Sequence, residues 1–110
     1  MKERHLKLIR RFYYNYKKEI SQHKKALKKL GTYKEHIEIL ENIEMVMTSE
    51  KITKGGFEAI SKAVYTWEEE FNKYKVFLYL SFNYGSIKKN RELIAEMKKM
   101  LKELQITYFS

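Results

Sequence analysis

The side chains with reactive potential are few: three histidines (His5, His23, His36), one acidic run (Glu68-Glu69-Glu70) and a glycine pair, Gly55-Gly56. Zinc or di-iron sites on helices need His and carboxylates at i,i+3 or i,i+4, as in Glu-x-x-His or His-Glu-x-x-His, and neither pattern occurs. Glu19 and His23 are four apart, but His23 falls on an apolar seam and reads as a packed residue that registers one helix against another. Consecutive glutamates point to different sides of a helix, so Glu68, Glu69 and Glu70 read as a solvated face or a counter-surface for cations, not as a carboxylate pair. Gly55-Gly56 lacks the further glycines and the Lys-Ser/Thr of a phosphate-binding loop. The chain has no cysteine and no Gly-x-Ser-x-Gly elbow, so thiol nucleophiles, disulfides and hydrolase-type serines are all missing. The expectation is a non-enzymatic protein that needs no metal and no cofactor.

Charge gives the stronger signal. The formal net charge is +9, and residues 1–31 hold eleven Lys and Arg against two Glu, whereas residues 32–110 hold twelve of each sign. Within the first segment the cations recur with a seven-residue period as Arg10/Arg11, Lys17/Lys18 and Lys24/Lys25, with Lys28 alongside. On a helix, residues 10 to 28 span roughly 27 Å at about 1.5 Å per residue, comparable to several consecutive backbone phosphates. Tyr14, between the cation pairs, adds a ring for stacking. A face built only for solubility would interleave Glu with Lys for i,i+4 support, and this one does not. A second basic group, Lys88, Lys89 and Arg91 around Asn90, follows Ser86, the expected cap of the last helix, where recognition helices often place contact residues.

The other unusual stretch runs from Val76 to Tyr84, where Val76, Phe77, Tyr79, Leu80, Phe82 and Tyr84 are apolar on every side. A helix apolar all round must be buried all round, in its own fold or against a partner. These six residues are the candidate protein interface, and a short strand is the competing reading of their backbone.

The elements that would position these groups are helical, since Pro is absent, Gly is scarce, and Lys, Glu, Leu, Ile and Met are abundant. A first helix over Lys2–Leu30 carries the seam Leu6, Ile9, Tyr13, Tyr16, Ile20, His23, Leu27, Leu30 at alternating spacings of three and four. Gly31 caps it, and Thr32 with Glu35 forms a capping box for a second helix over Tyr33–Met47. Thr48–Gly56 reads as a loop. A third helix from Phe57 carries Phe57, Ile60, Val64, Trp67, Phe71, Tyr74 and Leu78, and a fourth follows the turn at Gly85-Ser86 and ends near Leu104. The tail Gln105–Ser110 should fold back onto the body.

The expected fold is all-α: one domain over 1–110, a compact four-helix bundle with long heptad-patterned first and third helices. No segment is long and apolar enough to span a bilayer, and nothing at the N-terminus has the form of a signal peptide, so the expectation is a cytoplasmic protein without a membrane partner. The leading functional expectation is a regulatory or accessory protein that binds nucleic acid or a nucleoprotein complex through its basic first helix and self-associates. The alternative is a small inhibitor or immunity-type protein, of the kind phages and mobile elements encode, docking on a protein target through aromatic and charged helical surface. A membrane-surface binder fits less well, because the apolar face of the first helix carries tyrosines and a histidine instead of Leu, Phe and Trp.

Overall fold

The periodicity folds into five helices: α1 (Glu3–Gln22), α2 (Lys24–Leu30), α3 (Tyr33–Ser49), α4 (Lys54–Leu80) and α5 (Tyr84–Tyr108). The computed structural model describes residues 2–80 and 84–109, with side chains for 2–73 and 85–109. Among the described residues there is no strand, and no helix is long and apolar enough to cross a membrane.

The expected single first helix is broken at His23, whose backbone sits at φ −108° and ψ 22°. The hydrogen-bond ladder carries on around the break, His23 N–H to Glu19 C=O and Leu27 N–H to His23 C=O, so α2 is a redirected continuation. Redirection keeps Leu27 buried but leaves Leu30, expected on the seam, 57% exposed. Gly31 then adopts φ 78°, and Thr32 N–H bonds back to Leu27 C=O, a left-handed cap that closes α2.

Thr32 precedes α3 as expected but does not form the capping box, because its side chain makes no cap hydrogen bond. Its hydroxyl donates instead to Glu70 Oε1 at 2.7 Å. The expected 48–56 loop shrinks to 50–53, since Thr53 Oγ1 accepts from Gly56 N–H at 3.0 Å and starts α4 ahead of the glycine pair. Gly85 and Ser86 lie inside the first turn of α5, not in a turn before it, and α5 runs four residues past Leu104. The tail expected to fold back instead extends α5, with residues 105–108 exposed, and Phe109 at its end brings its ring 4.9 Å from that of Phe57.

α1 packs on α3 and α5, α4 packs on the same two, and α2 rests on α3. The body measures 41 × 25 × 21 Å, and its long dimension matches α4, whose 27 residues span about 40 Å. A single connected core draws Ile9, Phe12 and Tyr16 from α1, Leu27 from α2, Ile43 from α3, Ile60 and Trp67 from α4, and Met97 and Leu104 from α5.

Val76, Phe77, Tyr79 and Leu80 belong to α4, so the backbone of 76–80 is helical and not a strand. Their side chains, with Phe82 and the side chain of Tyr84, lie outside the described residues.

Candidate functional site

α1 buries His5, Leu6, Ile9, Phe12, Tyr13, Asn15, Tyr16, Glu19 and Ile20, a stripe wide enough to face both α3 and α5. What remains outside is fixed by the helical repeat. Lys7, Arg11, Tyr14 and Lys18, at spacings of four, three and four, form the outermost line, flanked by Arg10 and Lys17. Tyr14 is 62% exposed, as a ring available for stacking must be.

The cations on this face divide into two groups. In the first half of α1, Arg4 approaches Glu103 at 3.3 Å, Lys7 approaches Glu3 at 3.7 Å, Arg10 approaches Glu50 at 3.7 Å and Arg11 approaches Glu96 at 3.6 Å. In the second half and in α2, Lys17, Lys18, Lys24, Lys25, Lys28 and Lys29 are all exposed, and no carboxylate among the described residues stands within ion-pairing distance of any of them. Lys17 lies 5.8 Å from the centre of the Tyr13 ring, and Lys24 and Lys28 share the Tyr33 ring at 5.4 and 5.5 Å. Those contacts position the ammonium groups and leave their charge uncancelled. The cations read from the sequence as a ridge are therefore exposed, but Arg10 and Arg11 are each paired with a glutamate from elsewhere in the fold.

The second basic group does not form one surface. Lys88, Lys89 and Arg91 are exposed, while Asn90 is 1% exposed and belongs to the core. Arg91 lines a groove between α4 and α5 with Glu68, Asn72 and Lys98. Lys89 lies seven residues before Glu96, on the flank of α5 that faces α1.

Two buried polar networks hold this scaffold in register. Asn90 Oδ1 accepts from Asn15 Nδ2 at 2.7 Å and from the indole N–H of Trp67 at 2.9 Å, and Asn90 Nδ2 donates to the Ser86 carbonyl at 2.8 Å. In the second network the Tyr16 hydroxyl meets His36 Nδ1, and His36 Nε2 faces Glu70 Oε1 at 3.2 Å. That second contact is out of line for a hydrogen bond. Glu70 is instead held by the Thr32 hydroxyl. The Tyr16 and Trp67 rings stack 4.8 Å apart and join the two networks. Burial, with Glu70 and Glu35 adding to it, pushes the Tyr16 phenol far up, so it keeps its proton beside His36.

The order hydroxyl, imidazole, carboxylate is that of a nucleophilic triad, but Tyr16, His36 and Glu70 are all buried, and a nucleophile must meet its substrate. Glu70 corrects the reading of Glu68–Glu70 as a solvated face: Glu69 is exposed, Glu68 accepts from Lys98 at 2.8 Å, and Glu70 is in the core.

No protein-family model, curated protein or solved structure matches this chain.

Among the described residues no group of three or more His, Cys, Asp or Glu side chains is placed to hold a metal ion. At the His23 break, Glu19 is buried with both carboxylate oxygens lacking a hydrogen-bond partner, and His23 Nε2 stands 3.5 Å away. At the far end of α1, His5 lines a groove of about 340 Å³ shared with Arg4, Arg11, Glu96 and Glu103. Its pKa is lowered by burial and by the Arg4 guanidinium, which together outweigh Glu103. Asn15, His36, Glu70 and Asn90 were missed as core residues. The available signal was position: each is a polar residue on the stripe its own helix buries.

Proposed function

We propose that the protein is a cytoplasmic, non-enzymatic regulatory or accessory factor that binds nucleic acid, or a nucleoprotein complex, through the outer face of α1 and α2. One observation carries this reading: six exposed lysines between residues 17 and 29 stand without a carboxylate partner among the described residues, on a ridge formed by the end of α1 and α2. The only acid in that segment, Glu19, is turned into the core. Exposed Tyr14 at the head of the ridge adds a stacking ring. In this proposal α1, α3, α4 and α5 form a four-helix bundle with heptad-like seams, α2 extends the first of them, and all 110 residues make one domain.

Fluorescence anisotropy with labelled duplex and single-stranded oligonucleotides, titrated across salt, tests the proposal. Affinity should fall linearly on a log–log plot, because each neutralised phosphate releases condensed counterion. Absence of binding to every nucleic acid at low salt would discard it.

A second reading rests on the apolar run at 76–84, which exceeds what one bundle seam uses and suits a homo-oligomer contact or docking on a protein target. Light scattering that gives a dimer, broken to monomer by Leu80→Lys, would support self-association.

A further inference from the structure

Resting on that proposed function, we infer that the ligand of the lysine half of the ridge is the phosphate backbone of a nucleic-acid duplex, bound without reading its sequence. Three observations narrow the ligand class.

The first is the division of cation types. Every arginine of α1, Arg4, Arg10 and Arg11, is engaged by a glutamate from another helix or from the loop after α3, while the half without acidic partners is entirely lysine. Arginine forks make the bidentate contacts that distinguish guanine, and Asn or Gln those that distinguish adenine. Lysine is a compact point charge that suits phosphate oxygens in any sequence context. In α5 the one amide beside the basic group, Asn90, is consumed by Asn15, Trp67 and the Ser86 carbonyl.

The second is the register between α1 and α5. Arg4 pairs with Glu103, and one heptad further along Arg11 pairs with Glu96. The next equal step along both helices falls at Lys18 and Lys89, both exposed and neither paired with a carboxylate among the described residues. The first two rungs close on opposite charges, and the third offers two cations to solvent. This rung continues the α1–α2 lysines onto a second helix, so the positive surface is a patch with width, as contact with both edges of a groove requires.

The third is the scarcity of stacking surface. Proteins that hold single strands interleave cations with exposed aromatic rings. Along residues 14–33 only Tyr14 is an exposed aromatic, since the Tyr33 ring lies under Lys24 and Lys28. A duplex, whose bases are already stacked, asks for no such platform.

The test compares two triple variants of the full chain against a 20-bp DNA duplex, a 20-bp RNA duplex and single strands of the same sequence. Lys18→Gln/Lys25→Gln/Lys89→Gln should lower the salt slope by about 2–3 units and weaken duplex binding by about tenfold per contact near 0.1 M salt. Lys54→Gln/Lys62→Gln/Lys102→Gln, the same charge change at exposed positions outside the ridge, should leave the slope within half a unit of wild type. Circular dichroism melts confirm that each variant folds, and Lys18→Gln and Lys89→Gln alone, each expected to lower the slope by about 0.9, keep the test valid if a triple variant does not. Duplex binding weakened equally by the control triple variant, or a wild type that prefers single strands or varies more than tenfold in affinity between duplex sequences, would overturn this inference and leave the proposed function standing. A wild type that binds no nucleic acid would overturn the proposed function itself.

Discussion

Replacing Glu19 with Met should stabilise the protein, against the usual direction for a core substitution. Glu19 is 1% exposed, neither carboxylate oxygen has a hydrogen-bond partner, and the nearest opposing group, His23 Nε2, is 3.5 Å away and 30% exposed. An unsatisfied buried polar group costs about 1–3 kcal/mol, and more when charged. Methionine has nearly the same length, no polar demand and enough flexibility to fill the space left by the carboxylate. The expected gain is therefore about 1–3 kcal/mol, and for a chain of this size it raises Tm by roughly 4–13 °C. Glu19→Gln, which removes the charge but keeps polar atoms that need partners, should give a smaller change. Differential scanning calorimetry supplies Tm, and urea unfolding supplies the free energy with its slope as a check on compactness. A Tm for Glu19→Met below that of wild type, with the slope unchanged, would refute the reasoning and show that the carboxylate secures the His23 break.

Asn90→Ala strands the Asn15 amide and the Trp67 indole N–H together and should cost about 3–5 kcal/mol; Trp67→Phe should then cost less in that background than in wild type, a coupling measurable by a double-mutant cycle in urea. The lowered pKa of His5 means the unfolded chain binds more protons than the folded one below pH 6.5. Stability is therefore full above that pH and declines beneath it, and His5→Gln should flatten that part of a Tm-versus-pH curve. Gly31→Ala should lower stability by about 1 kcal/mol through its φ of 78°, because nothing lies within 4 Å to obstruct the added methyl; Gly31→Asn should cost less, as thermal melts can compare.

The sequence disclosed the helical class because apolar spacing and absent proline are local properties. It could not disclose the break at His23, since the alternation of threes and fours runs through Ile20, His23 and Leu27 unchanged. Helix starts shifted where local capping competed with a tertiary partner: Thr53 began α4 three residues early, and Thr32 gave up its cap for Glu70. The basic ridge was legible as a charge pattern. Its division was not, because the neutralising glutamates lie 40 residues away in the case of Arg10 and 99 in the case of Arg4. Glu70 and Glu69 are neighbours in the chain with opposite fates, which only the packing of α4 against α3 decides.

The buried amide and indole around Asn90 have an evolutionary consequence. Asn15, Trp67 and Asn90 sit on three different helices, and each answers a polar demand made by another. A drift of any one to an apolar residue strands its partner, so the three are bound to change together or not at all. The same holds for Tyr16, His36 and Glu70 with Thr32. Surface lysines carry no such obligation and can be exchanged for arginine, moved by a turn, or lost singly. Distant kin of this fold should thus be recognisable less by overall identity than by co-inheritance: an Asn–Tyr pair on the first helix, a histidine one turn into the third, and Trp-x-x-Glu on the fourth, answered by a lone asparagine on the fifth. Ancestry would be written in the polar core while the charged exterior diverges.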